Sequence, residues 1–151
     1  LGDVMKESCQ AALSYLKTKL PRWGIADEEF ETQEFHIHIP SGAIPKDGPS
    51  AGLAVVMSLA SLLRKEPIDP KIAFSGEITL SGRVLPVGGI KEKVIAAKRA
   101  GIEKIILPKD NEKDLREIPQ HVRAGLSCTF VSKIDQALNR IFKNKKLEAR
   151  K

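Results

Sequence analysis

The chain has 151 residues, 42% hydrophobic and 29% charged, with 25 lysines and arginines against 19 acidic residues and a net charge of +6. That length and apolar share suit one globular domain able to bury a core without disulfide staples. No apolar run reaches the roughly 18 residues that span a bilayer, the N-terminus lacks a secretory pattern, and Cys9 and Cys128 make neither a disulfide framework nor a CxxC site, so a soluble chain in a reducing, intracellular compartment is expected.

In residues 3–20, Val4, Met5, Cys9, Ala12, Leu16 and Leu20 recur at helical spacing and predict an amphipathic helix opened by Asp3 and stopped by Pro21. Phe35, Ile37 and Ile39 alternate with His36 and His38, which predicts a strand over 35–39 with both imidazoles on one face and Pro40 as its end. A turn-rich loop over 40–46 leads to Ser50 and a nearly all-apolar helix over 51–63 that must be buried. Residues 71–80 and 83–87 read as strands joined at Ser81-Gly82, followed by Gly88-Gly89 and a helix over 90–100 closed by Gly101. A strand over 104–107, a helix over 111–117, a strand over 126–131 and a helix over 134–142 capped by Ser132 complete the series. Strands and helices in this irregular order predict an α+β sandwich, not a regular doubly wound sheet.

The excess positive charge suggests nucleic acid, but five of the 25 basic residues lie within 143–151 and the rest alternate with acidic residues without interleaved aromatics. A basic tail at 143–151 and solvated faces elsewhere account for it, and nucleic-acid binding is left as a secondary reading. There is no Gly-Lys dipeptide and no G-x-G-x-x-G, so ATP binding by those loops is excluded.

Two constellations carry chemistry. Gly48-Pro49-Ser50-Ala51-Gly52 places a hydroxyl on a glycine-flanked turn at the start of a core helix. It matches the nucleophile-elbow pattern, but loop residues stand where that elbow needs a strand. Ser50 is then either a nucleophile or an N-cap. On the helix over 90–100, a step of about 100° per residue sets Ile90, Val94, Ala97 and Ala100 on one arc with Lys93 among them. A core-facing lysine loses hydration and its charged form is disfavoured, which suits it to take the serine proton; the alternative is a lysine reaching to water from the helix edge. Unpaired amides at the helix start suit an oxyanion, and Gly48 and Gly52 allow close approach of substrate. His36 and His38 have no third ligand at metal spacing; a Ser-His arrangement with Asp47, or loop support by hydrogen bonds, remains open for them.

Together Leu1 to Ser8, His36-Ile37-His38-Ile39-Pro40, Pro45 to Gly52, Gly76 to Leu80 and Leu85 to Lys93 closely resemble the proteolytic domain of Lon, the ATP-dependent serine protease family. The resemblance runs from residue 1 to about 142, giving a domain at 1–142 without the family's upstream ATPase module or its first strands. It implies a fold like domain 2 of ribosomal protein S5, a hexameric ring in the full-length enzyme, and a bacterial cytoplasmic or mitochondrial matrix setting. It also implies cleavage of unfolded, damaged and regulatory polypeptides, with no cofactor in this chain and no metal, ATP and Mg²⁺ serving the ATPase module. It makes Ser50 the nucleophile and Lys93 the general base. Ser75 stands where the family has a threonine that bonds the lysine, and Asp47 is the loop acid that can regulate access to the serine. Gly48, Pro49, Ala51, Glu77, His36 and His38 surround the site as supporting residues. The alternative is a non-catalytic ring-forming module whose Ser50 only caps a helix.

Overall fold

The computed structural model describes residues 1–142; the basic tail at 143–151 lies outside the described residues. Helix α1 (Asp3–Lys17) buries Met5, Cys9, Ala12, Tyr15 and Leu16 along one face. Its packing partner is α4 (Gly52–Arg64), whose Leu53, Val56, Met57 and Ala60 are fully enclosed. The expected single helix to residue 20 breaks after Lys17, and Leu20 starts a new turn, α2 (Leu20–Trp23), with Pro21 in its first turn. Proline opens this turn because its missing N–H would have no partner there. A short α3 (Asp27–Glu31), absent from the sequence expectations, follows.

The strand expected over 71–80 divides in two at Ser75-Gly76. Its first part, β1 (Ile72–Phe74), joins β4 (Lys104–Pro108) and β5 (Ser127–Val131) in a parallel sheet of order β1-β4-β5. Its second part, β2 (Glu77–Ile78), turns away and pairs antiparallel with β3 (Val84–Leu85), Glu77 opposite Leu85. The turn at Thr79 to Gly82 is where the sequence places it; Gly82 has φ +89 and its N–H donates to the Thr79 carbonyl. Any side chain at Gly82 would strike the Tyr15 ring, so this end of the hairpin sits on α1.

Strand alternation sorts the core into two layers. Ile72, Phe74, Ile106 and Val131 face the cluster made with α1, α4 and α8 (Ile134–Ile141). Ala73, Ile105, Leu107, Cys128 and Phe130 face the second cluster, made with α5 (Ile90–Arg99), α6 (Glu112–Arg116) and the segment after it. A three-residue 3₁₀ turn, Lys109–Asn111, links β4 to α6, and α7 (Gln120–Arg123) precedes β5. The chain is a mixed helix-and-sheet domain, as the α+β expectation has it, but with helices on both faces of a parallel sheet and a separate hairpin.

Two local expectations are corrected. Residues 35–39 keep the alternation, with Phe35, Ile37 and Ile39 half-buried and His36 and His38 exposed, yet they form no strand among the described residues. Alternation records which side faces the core, whereas a strand also needs a neighbour to complete its hydrogen-bond ladder. Ser132 does not cap α8: the Gln136 carboxamide reaches back to accept from the N–H groups of Lys133 and Ser132 at 3.1 and 2.7 Å.

Gly76 is enclosed, and a Cβ there would meet Val84 Cγ1 at 2.7 Å and Leu53 Cβ at 3.4 Å. Gly76→Ala is expected to lower stability by about 1–3 kcal/mol through overpacking, read as an earlier midpoint in urea unfolding at unchanged slope.

Candidate active site

Ser50 lies two residues before α4, whose N-cap is Ala51 and which receives no side-chain cap bond. The N-cap assignment for Ser50 is therefore overturned, and its Oγ has no hydrogen-bond partner among the described residues. Its backbone, in contrast, is anchored. The Ser50 carbonyl accepts from the Gly76 N–H at 3.0 Å and from Ser75 Oγ at 3.2 Å, and the Leu53 N–H donates to the Gly76 carbonyl at 3.0 Å. The break between β1 and β2 is thus stitched to the start of α4.

Gly52 serves this stitch rather than a substrate. A Cβ there would meet Ile78 Cγ1 at 2.9 Å and the Gly76 carbonyl at 3.4 Å, so glycine lets α4 press against β2. Gly48 is different: it has φ +114 and open space on its Cβ side, leaving that surface accessible. The N–H groups of Gly48, Gly52 and Leu53 are taken by Asp47 Oδ1, the Pro49 carbonyl and the Gly76 carbonyl. Those of Ser50 and Ala51 donate to no acceptor among the described residues.

Lys93 sits on the first turn of α5, which begins beyond the open end of the β2–β3 hairpin, the same end at which Gly76 holds Ser50. Its Nζ donates to the Gly88 carbonyl at 2.8 Å. The buried arc of α5 comprises Ile90, Val94 and Ala97, while Ala100 is exposed, so the arc is narrower than the sequence implies and Lys93 stands half-buried at its rim. Gly89 caps α5 at φ +69, the reason a glycine is wanted there. Lys93 and Ser50 share no hydrogen bond in this conformation.

Asp47 organises the loop. Its Oδ1 accepts from the Met5 N–H at 2.9 Å and the Gly48 N–H at 2.8 Å, capping α1 from a distance of 42 residues. The Gly2 N–H donates to the Lys46 carbonyl at 2.8 Å, and any side chain at Gly2 would collide with the Asp47 carboxyl. Lys46 Nζ closes the other side by donating to the carbonyls of Ser41 and Ile44 at 2.7 and 3.1 Å. Loop support thus comes from Asp47 and Lys46. His36 and His38 make no hydrogen bond among the described residues, and the loop-holding role expected of them is not seen. Nor does Ser75 reach the lysine, since its hydroxyl is committed to Ser50. Glu77 is half-buried in β2, and Pro49 supplies only its carbonyl to the turn.

The segments that carry the serine and the lysine belong to one stretch of a known family. Residues 1–144 match the model of the Lon protease (S16) C-terminal proteolytic domain. The chain belongs to the Lon protease family. Lon protease 2 of Thermus thermophilus is 56% identical over 139 residues, 92% of this chain and 17% of that protein. Lon proteases of Brevibacillus choshinensis and Halothermothrix orenii are 54% and 50% identical over 91% and 93% of the chain. The chain spans 17–18% of the length of these relatives. The family is one of serine-type peptidases, and no helix among the described residues is long and apolar enough to cross a membrane.

Sequence reasoning missed the Gly2–Asp47 clasp, the stitch through Gly76, and Asn111, which is 3% exposed and bonded to Val87. Asn111 lies in a charged run and reads as an ordinary helix start; an uncharged amide amid such charge was the available signal.

The Met5 N–H, and after it the Gly48 N–H, hold the Asp47 carboxyl below its ordinary value. A carboxylate with a depressed folded pKa stabilises the fold above its unfolded pKa, and that contribution is lost as pH falls through the folded value. Asp47→Asn is therefore expected to lower thermal stability by a constant amount from pH 8 to 5, a difference that shrinks toward zero below about pH 4.

Proposed function

We propose that this chain hydrolyses peptide bonds with Ser50 as nucleophile and Lys93 as general base. The observation that carries the reading is a serine whose backbone is locked to Ser75 and Gly76 while its hydroxyl is left unbonded. Structural serines at helix starts spend their hydroxyl on the backbone; this one does not.

Lys93 takes the Ser50 Oγ proton while Oγ attacks the scissile carbonyl. This requires Nζ to turn from the Gly88 carbonyl toward Oγ. The oxyanion forms beside the unengaged N–H groups of Ser50 and Ala51, whose donation would lower the barrier by several kcal/mol, as oxyanion donors do elsewhere (~3 kcal/mol each). The carbon–nitrogen bond breaks as the proton on Lys93 passes to the leaving amine, giving an ester on Ser50. Lys93 then takes a proton from water, whose oxygen attacks the ester, and returns it to Oγ as the acid product leaves. In this scheme Ser75 positions the serine backbone and Asp47 holds the loop that borders Gly48.

Family membership implies the rest of the reading. Residues 1–142 belong to a proteolytic domain with a fold like domain 2 of ribosomal protein S5, and 143–151 are a basic tail. The full-length enzyme is a hexamer, cytoplasmic in a bacterium or in the mitochondrial matrix of an organellar source, that degrades unfolded, damaged and regulatory polypeptides. ATP and Mg²⁺ serve its ATPase module, and this chain uses no cofactor.

Ser50→Ala and Lys93→Ala, placed in the full-length enzyme, should each cut hydrolysis of an unstructured fluorogenic peptide by on the order of a thousandfold or more with folding intact. Labelling by a fluorophosphonate should fall on Ser50 and fade in Lys93→Ala. A Lys93→Ala enzyme that keeps most of its activity would sink the dyad.

A further inference from the structure

We propose that Asn111 is a positioning residue for Lys93, acting through the backbone of Val87 and the Gly88-Gly89 turn. The inference rests on the assignment of Lys93 as the base.

Asn111 is buried and makes three hydrogen bonds. Its Oδ1 accepts from the Val87 N–H at 2.9 Å. Its Nδ2 donates to the Val87 carbonyl at 2.8 Å and to Asp114 Oδ2 at 2.7 Å. One carboxamide thus holds both polar groups of a single residue, fixing the peptide planes on either side of Val87. The second of those planes contains the Gly88 nitrogen, and the next carbonyl, that of Gly88, accepts Lys93 Nζ. The other end of the turn is fixed by α5, where the Gly89 carbonyl accepts the Lys93 N–H at 3.0 Å. Two glycines in a row are otherwise the most permissive backbone in the chain, so the Gly88 carbonyl has a defined place only if both ends of the turn are held.

The anchor is itself rigid. Asn111 ends the 3₁₀ turn that leaves β4, the central strand of the parallel sheet. Asp114 fixes which way the amide faces, because the reversed orientation would set the amide oxygen against a carboxylate and the NH₂ group against the Val87 N–H. Asparagine alone among the common side chains of this size offers both a donor and an acceptor in that geometry; an aspartate would set an oxygen against the Val87 carbonyl and against Asp114. A merely structural clamp would make the same bonds, so the test must read Lys93.

The test measures competitive acetylation of Lys93, relative to Lys91 and Lys98 on the same helix, in the full-length enzyme and in Asn111→Ala. Leu115→Ala removes a buried side chain of α6 in the core cluster against which Val87 also packs, while leaving the Asn111–Val87 hydrogen bonds their partners, and serves as the control for lost stability. Asn111→Asp, which keeps the shape and the acceptor for the Val87 N–H, supplies the same comparison if truncation unfolds the chain. The expected result is a change of about threefold or more in Lys93 labelling, because the Gly88 carbonyl no longer has a fixed place from which to hold Nζ, and a change in kcat at nearly constant KM, neither seen in Leu115→Ala. Unchanged Lys93 labelling in folded Asn111 variants, or an equal effect from Leu115→Ala, would overturn the proposal. If Lys93→Ala retains activity while Asn111→Ala still alters Lys93 labelling, the assignment of the base fails and the positioning stands.

Discussion

Everything near the site depends on the Ser50 carbonyl, which accepts from Gly76 N–H and Ser75 Oγ where the chain leaves one sheet for another. A strand running straight from residue 72 to 78 would keep its polar groups in one ladder. By breaking at Ser75-Gly76 it frees the Gly76 N–H and carbonyl, and these, with the Ser75 hydroxyl, take up the backbone polar groups of the α4 start. The Gly76 carbonyl receives the Leu53 N–H, an orphan donor of the helix's first turn, so a distant segment does the work of a cap. The serine side chain is thereby released from capping, and a hydroxyl with no structural duty is one that chemistry can use.

The same economy shapes the two loops beside it. α1 has Gly2 at its N-cap position and no cap from its own side chains, and Asp47 reaches across to supply one. One carboxylate thus joins the loop before Ser50 to the first helix, beside the Gly2–Lys46 backbone bond, with Gly2 needed because the carboxyl occupies the space of a Cβ. On the other side, Asn111 carries rigidity from the central strand into the glycine pair that precedes Lys93. In both places a side chain from another element completes hydrogen bonds that a glycine-rich backbone cannot complete alone.

What could be read from the residues follows from what periodicity encodes. The buried faces of α1, α4 and α5, the turn at Gly82 and the strands near 104–108 and 127–131 were legible because side-chain spacing reports burial directly. Ser50 and Lys93 were legible as candidates from their local setting. The break at Ser75-Gly76 was not, because residues 71–80 read continuously as strand and only the approach of α4 makes the enclosed glycine necessary. The strand expected over 35–39 failed for the opposite reason: its faces are right, but pairing is a property of a neighbour and not of the segment. Lys93 proved to be at a rim because the face of α5 ends at Ala97, a limit set by what packs on it.

A crystal structure of the full-length protein with a peptide boronate, which mimics the tetrahedral intermediate, would test the Ser50 and Lys93 roles most sharply. The expected structure has a bond from boron to Ser50 Oγ, a boronate oxygen facing the N–H groups of Ser50 and Ala51, and Lys93 Nζ moved from the Gly88 carbonyl to about 3 Å from Oγ. An adduct on another residue, or one on Ser50 with Lys93 still bonded to Gly88 and out of reach, would contradict it.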